Sequence, residues 1–102
     1  MATPEVFSAA AKARVLLVDD HAMVRQGLRS ILDSYDDIVI VGEAGDGLEG
    51  VGLVTSLHPD VVVMDMNMPR MDGVEATRRI TQAVPAIVVI GLSVRNDREA
   101  EQ

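Results

Sequence analysis

The chain has 102 residues, enough for one domain, and carries a formal net charge of -7 from 16 acidic and 9 basic side chains. This balance argues against direct nucleic-acid binding, because affinity for phosphate backbones needs clustered lysine and arginine. The absence of cysteine excludes disulfides and thiolate metal sites. No apolar run approaches the length of a membrane span, and the first residues lack the apolar core of a signal peptide. We therefore expect a cytoplasmic domain that contacts neither nucleic acid nor membrane.

An alanine-rich N-terminal arm, residues 1–13, precedes a single predicted domain at residues 14–102. Within this domain, apolar runs typical of buried strands alternate with stretches of helical spacing, in this order: strand 14–19, helix 22–32, strand 38–41, helix 48–57, strand 61–65, helix 74–83 and strand 86–90. Strict alternation of strands and helices implies parallel strands with right-handed crossovers. The predicted fold class is therefore α/β, a doubly wound parallel sheet.

Two of the predicted helices have a defined apolar face. In helix 22–32 the inward face includes Ile31, and Arg25 lies off it. In helix 74–83 the inward face includes Val74.

Residues 45–50 match the pattern G-x-G-x-x-G, which is the outline of a dinucleotide-binding fingerprint. Two extra residues separate the pattern from the predicted strand, and Asp46 and Glu49 would oppose a pyrophosphate. A flexible turn that leads into a closely packed helix is the favoured interpretation, and dinucleotide binding is a low-ranked alternative.

Carboxylates stand where two apolar runs end. The first run ends in Asp19 and Asp20, and the third ends in Asp65. The carboxyl ends of parallel strands lie at one edge of a sheet, where open α/β folds bind their ligands. Three carboxylates there would form an acidic pocket that suits a hard cation such as Mg²⁺, and without a cation one of their pKa values should rise. Helix capping by Asp20 is the simpler structural alternative.

These carboxylates, together with the loop that follows Asp65, resemble the receiver domain of two-component response regulators. The matching pieces, in order, are Asp19-Asp20, Asp65, Asn67, Met68-Pro69, Met71-Asp72-Gly73 and Gly91-Leu92-Ser93. The similarity runs from about residue 14 to about residue 98. The sequence around Asp19-Asp20-His21 and the Ile-Gly-Leu-Ser strand end are most similar to receivers that are fused to LuxR-type DNA-binding domains.

The resemblance implies a role for each matching residue. Asp65 would accept a phosphoryl group from a histidine kinase, and Ser93 would be the switch hydroxyl, although helix capping is an equal alternative for Ser93. Asp20 would bind Mg²⁺ directly, Asp19 through water, and Asn67 through its backbone carbonyl. The implied function is signalling to a DNA-binding output domain, with no enzymatic turnover beyond the receiver's own phosphorylation and dephosphorylation.

The chain departs from the family pattern at its C-terminal end. The family's fifth strand and fifth helix have no counterpart, the active-site lysine is absent, and the only lysine is Lys12. We therefore expect a truncated receiver whose fourth strand is an exposed apolar edge, and we expect it to form a homodimer or a larger assembly. The main alternative function is a degraded receiver that acts only in dimerisation. A phosphatase with an acidic nucleophile ranks low, because Asn67 stands where a second aspartate would be needed.

Overall fold

The computed structural model describes residues 11–68 and 71–93, which form one parallel sheet flanked by helices. Its elements, in chain order, are β1 Ala13–Val18, α1 Ala22–Leu32, β2 Ile38–Ala44, α2 Gly47–Leu57, β3 Val61–Asp65, α3 Gly73–Ala83 and β4 Val88–Leu92. All strand pairs are parallel, and the strands lie in the order β2-β1-β3-β4. The predicted doubly wound α/β class is confirmed. Residues 94–102, whose sequence could begin a fourth helix, and most of the N-terminal arm lie outside the described residues.

The two faces of the sheet carry separate apolar cores. On β1, Leu16 and Val18 belong to the cluster that packs with α2 and α3, while Val15 and Leu17 belong to the cluster that packs with α1. The side chains alternate in this way because successive residues of a strand point to opposite faces. The same alternation directs the residue after Val18, which is Asp19, toward the side of the sheet that α1 covers.

The register of the strands brings the chain's carboxylates to one edge. Val18 of β1 pairs with Met64 of β3, so Asp19 and Asp65 follow at the same level. The backbone N–H of Asp19 still donates to the carbonyl of Ala44 (3.0 Å) beyond the last paired residue of β1. Both carboxylates therefore stand on backbone that is fixed by the sheet.

The strand boundaries differ most from the prediction in β2 and β4. β2 continues past residue 41 to Ala44, through Gly42 and Glu43, two residue types that are depleted in strands. A shift in register between Val15 and Leu16 accommodates this longer strand. β4 begins two residues later than predicted, because a turn that includes a hydrogen bond from Ile87 N–H to the Val84 carbonyl (3.1 Å) precedes it.

Two predicted helix faces were partly wrong. Ile31 and Val74 were predicted to point inward, and both are exposed. The buried residues of α3 are instead Gly73, Ala76 and Ile80. The helix packs on the sheet through the small residues of its first turn, and this rotation turns Val74 toward solvent.

The G-x-G-x-x-G segment forms a helix cap. Asp46 is the N-cap of α2 and accepts a hydrogen bond from Glu49 N–H (2.8 Å), while the Glu49 carboxylate accepts one from Gly45 N–H (2.7 Å). Carboxylates of the chain itself therefore occupy two of the backbone donors that a pyrophosphate would need. The dinucleotide alternative receives no support from this geometry. No helix in the described ranges is long and apolar enough to cross a membrane.

Gly73 allows α3 to start directly against the end of β3. A Cβ atom at this position would overlap with the carbonyl oxygen of Asp65 and would lie 2.5 Å from the Cα of Met66. No described glycine has a positive φ, so Gly73 is not needed here for backbone freedom. The requirement at Gly73 is therefore space, because its neighbours are backbone atoms that cannot move aside.

We predict that Gly73→Ala lowers the free energy of unfolding by about 2 kcal/mol or more, because the added methyl group overpacks against backbone. Gly52→Ala is the matched control, since Gly52 also lies in a helix but a Cβ added to it would have no atom within 4 Å. Its higher helix propensity should raise stability by about 0.5–1 kcal/mol. Urea denaturation of both variants measures the difference, and equal stabilities would contradict the close approach.

Candidate functional site

Two nearly buried carboxylates lie at the carboxyl edge of the sheet. Asp19 is 3% exposed and Asp65 is 6% exposed, and they are the only buried charged residues in the described part of the chain. They line a cavity of about 300 Å³ together with His21, Val24 and Asn67. Burial of two like charges is unfavourable unless something compensates them, which marks this edge as a binding site.

The three carboxylates that the sequence singled out do come together. Asp19, Asp20, His21 and Asp65 each offer one ligand atom, and these four atoms all lie within 4.8 Å of one another. Asp20 is more exposed than Asp19 and Asp65. The N-cap of α1 is His21, whose side chain forms no capping bond, so the capping alternative for Asp20 is wrong.

Asp65 is held by the loop that follows it. Its Oδ1 accepts a hydrogen bond from the backbone N–H of Asn67 (2.9 Å). Burial, more than any other cause, raises the pKa of the Asp65 carboxyl, and the nearby carboxylates of Asp19 and Asp20 raise it further, against the opposing effect of the Asn67 N–H. The expected rise in one pKa within the carboxylate cluster is therefore found at Asp65.

His21 is the member of the cluster that sequence reasoning missed. Its side chain is 65% exposed, but its Nδ1 lies 3.2 Å from Asp19 Oδ1 and 3.1 Å from Asp20 Oδ1. Its backbone N–H also donates to Asp19 Oδ1 (2.7 Å). The only signal in the sequence was its place directly after the acidic pair.

An arginine of α1 supports the backbone of the site. The guanidinium of Arg25 donates to the carbonyl oxygen of Asp19 and, through Nε, to the carboxylate of Glu43 on β2 (3.0 Å). Arg29 also bonds Glu43 (2.8 Å), and these arginines, Arg29 first, hold the pKa of Glu43 below its usual range. This network ties α1 and β2 to the end of β1.

The two other predicted site residues lie beside the cluster. Asn67 is exposed and lines the cavity. Leu92 pairs with Asp65, so Ser93 is the first residue beyond the strand end at the same edge of the sheet, and it is exposed. Pro69 and Arg70, which belong to the motif, lie outside the described residues.

The donor set of this edge is suited to a hard divalent cation. Three carboxylates supply oxygen atoms, which are the ligands that Mg²⁺ prefers, and the exposed side of the site leaves room for the waters that Mg²⁺ retains. A bound cation would also compensate the buried charges of Asp19 and Asp65. In chemical terms, the site combines a carboxylate on a rigid strand with further oxygen donors of the kind that a cation binds.

A family comparison decides what kind of domain carries this site. The family model of the response regulator receiver domain matches residues 15–102. The chain belongs to the response regulator receiver family. The match includes the acidic pair, Asp65 and Ser93, and it confirms the resemblance drawn from the motif residues.

Two curated relatives carry different outputs. The chain is 48% identical over 87 residues to the transcriptional regulatory protein LiaR of Bacillus subtilis, covering 83% of this chain and 41% of LiaR. It is 49% identical over 89 residues to protein-glutamate methylesterase/protein-glutamine glutaminase 1 of Methanosarcina acetivorans, covering 85% of this chain and 26% of that protein. The chain thus spans less than half the length of these relatives, and it matches both transcriptional regulators and an enzyme.

A solved structure shows the same fold. The chain matches the crystal structure of a LuxR-family two-component response regulator from Aurantimonas with a TM-score of 0.78 and 36% identity. The match covers 89% of this chain and 66% of that one. The receiver architecture and the similarity to LuxR-type regulators are therefore established for the described residues.

The raised pKa of Asp65 predicts a pH-dependent effect of Asp65→Asn in the absence of divalent cations. Above the raised folded-state pKa the carboxylate is ionised in both the folded and the unfolded state, and only the folded state carries the penalty of burial, so the variant should be more stable than wild type there. Below about pH 4, the ordinary aspartate pKa, the Asp65 carboxyl is protonated in both states and does not lower the stability of the wild type. This stability is lost as pH rises through the raised folded-state pKa, because the buried carboxyl then ionises.

Thermal unfolding in chelator between pH 3.5 and 7.5 measures this effect, with Asp36→Asn as the control. Asp36 is an exposed carboxylate outside the cluster, so its substitution removes the same charge without relieving a buried one. An equal gain in stability from both substitutions would show that net charge, and not burial of Asp65, is responsible.

Proposed function

We propose that this receiver takes a phosphoryl group onto Asp65 from a histidine kinase, with Mg²⁺ held by the surrounding carboxylates. The observation that carries the proposal is the placement of Asp65, nearly buried on a rigid strand with the carboxylates of Asp19 and Asp20 beside it. Such a constellation is unfavourable for stability alone and suits a reaction in which cation, nucleophile and phosphoryl group meet.

In the proposed reaction, a carboxylate oxygen of Asp65 attacks the phosphorus of a phosphohistidine. A P–O bond forms, the P–N bond breaks, and the imidazole leaves with the electron pair, which gives a mixed anhydride on Asp65. The N–H of Asn67, which binds Oδ1 of Asp65, fixes the carboxylate so that its other oxygen is the one directed toward the donor. The anionic attacker and the anionic phosphoryl group repel each other, and a bound Mg²⁺ supplies the charge that offsets this repulsion.

The ligands for Mg²⁺ in this proposal are Asp20 and Asp65 directly, Asp19 through water, and the backbone carbonyl of Asn67. The greater exposure of Asp20 agrees with a direct ligand that faces an incoming ion. Ser93 is proposed as the hydroxyl that donates to a phosphoryl oxygen after transfer. Its place directly after Leu92, the residue that pairs with Asp65, supports this role.

The output of the signal is proposed to be transcription control in the cytoplasm. The similarity to a transcriptional regulator and to a LuxR-family structure favours a DNA-binding output over an enzymatic one. The charge of -7 supports a receiver that itself leaves DNA contact to another domain. A phosphatase reaction of the chain's own is disfavoured, because the Asn67 amide cannot serve as a general acid.

Self-association of this chain is a second proposal. β4 is an outer strand of the described sheet, and Val88 and Ile90, on the same face of it, are each about half exposed. Exposed apolar residues on an outer strand favour pairing with another chain. A second copy of this chain is the proposed occupant.

For phosphorylation, we expect the intact mass of the protein to rise by one phosphoryl group on treatment with acetyl phosphate and Mg²⁺. Asp65→Asn and excess chelator should both abolish the increase, because one removes the nucleophile and the other removes the cation. Asp36→Asn is the control and should be labelled like wild type. Equal labelling of Asp65→Asn and wild type would place the phosphoryl group elsewhere and contradict the proposal.

For self-association, light scattering over a range of concentrations should show a mass that rises from monomer toward dimer. The double substitution Val88→Thr and Ile90→Thr keeps β-branched residues on β4 but makes its surface polar, and it should shift the protein toward monomer. Met23→Thr removes an exposed apolar residue of α1 and should not change the mass. A wild-type monomer at every concentration would refute association through β4.

A further inference from the structure

We propose that His21 is a nitrogen ligand of the cation site, which makes the site bind borderline transition-metal ions such as Zn²⁺ or Co²⁺ through a contact that Mg²⁺ does not use. The proposal deepens the proposed function, since it rests on a cation binding among Asp19, Asp20 and Asp65. It assigns a selective role to a side chain that the phosphoryl-transfer chemistry leaves without one.

The spacing of three ligand atoms supports this role. His21 Nδ1 lies 3.2 Å from Asp19 Oδ1 and 3.1 Å from Asp20 Oδ1. Metal–ligand bonds of roughly 2.0–2.1 Å place neighbouring ligand atoms about 3.0 Å apart in an octahedron and about 3.4 Å apart in a tetrahedron. The observed separations fall between these values. The imidazole nitrogen thus already lies at a ligand–ligand distance from each of two carboxylate oxygens.

The backbone keeps the imidazole at this place. His21 is the N-cap of α1, with extended backbone angles, and its N–H donates to Asp19 Oδ1 (2.7 Å). The guanidinium of Arg25 bonds the Asp19 carbonyl at the same turn. The ring therefore needs only to exchange its contact with two carboxylates for a contact with an ion between them, and its exposed edge leaves the entry path open.

The chemistry of the ligands gives the direction of the selectivity. Mg²⁺ takes oxygen ligands and parts reluctantly with its water, so an imidazole adds little to its binding. Zn²⁺ and Co²⁺ bind imidazole well. A site with three carboxylates and one histidine therefore binds both kinds of ion, but the histidine strengthens the binding of the transition-metal ions only. Loss of His21 should change the ratio of the two affinities and not the affinity for Mg²⁺.

The test compares Zn²⁺ and Mg²⁺ titrations of the full chain in wild type and in His21→Ala. We expect His21→Ala to weaken Zn²⁺ binding roughly tenfold or more, as for loss of a contact that sets metal affinity, and to leave Mg²⁺ binding nearly unchanged. Histidine ring ¹⁵N resonances supply an independent readout, because Zn²⁺ should shift the His21 nitrogen signals and Mg²⁺ should not. Circular dichroism shows whether the variant remains folded.

His58→Gly is the matched control for imidazole content. His58 is exposed at the C-cap of α2 with a positive φ of 51°, a conformation that glycine adopts without strain, and it lies outside the cluster. Its loss should leave both affinities unchanged. Two results would overturn the assignment of His21. One is an equal ratio of Zn²⁺ affinity to Mg²⁺ affinity in wild type and His21→Ala. The other is a Zn²⁺-induced shift of ring ¹⁵N resonances that is confined to His58.

Two further outcomes separate this inference from the proposed function. If Mg²⁺ binds to wild type, is lost in Asp20→Asn, and His21→Ala leaves the affinity ratio unchanged, only the role of His21 fails. If wild type binds neither ion at residues around Asp65, the proposed cation site itself fails, and the role of His21 fails with it.

Discussion

The meeting of the carboxylates of Asp19 and Asp65 at one edge of the sheet is the constraint on which the rest of this structure depends. Each of them ends or directly follows a strand of aliphatic residues, and each is nearly buried. Neither can move away from the other without disturbing the packed sheet behind it. Burial and mutual repulsion raise the pKa of Asp65, and the same two effects make the site attractive to a cation. The fold thus holds two like charges close together at a place where a cation can bind them.

The residues around this edge brace the main chain and leave the acidic side chains open to ligands. Gly73 brings the start of α3 against the carbonyl of Asp65, and Asn67 N–H bonds one oxygen of the Asp65 carboxylate. The described hydrogen bonds of Arg25 go to the Asp19 carbonyl oxygen and to Glu43, not to the acidic side chains of the cluster. An arginine that neutralised those side chains would compete with a cation. Glu43 therefore holds the guanidinium of Arg25 close to the site while keeping this positive charge out of the pocket.

The relatives of this chain separate the receiver from what it controls. Similar receivers occur in a transcriptional regulator and in a protein-glutamate methylesterase, at almost the same identity. The acidic site lies within residues 15–102, the part of the chain that the receiver family model matches. The two relatives are named for different activities, so the chemistry of the site and the identity of the output are independent questions.

Much of the fold and of the site was determined by the sequence itself. Continuous aliphatic runs of this length are typical of buried strands, and their alternation with helical patterns indicates parallel pairing. The carboxylates at the ends of two such runs, Asp19 with Asp20 and Asp65, were therefore predictable as neighbours. Strand boundaries were less predictable where residue types that are depleted in strands lie inside one, as Gly42 and Glu43 do in β2. Only the tertiary structure decided which way side chains turn. It exposed Val74, paired Arg25 of α1 with Glu43 on β2, and placed the imidazole of His21 against two carboxylates. The exposure of Val74 depends on how a helix is rotated on the sheet, and the Arg25 contact joins residues far apart in the chain. The place of His21 depends on the backbone conformation at the start of α1. A local pattern of apolar and polar residues encodes none of these.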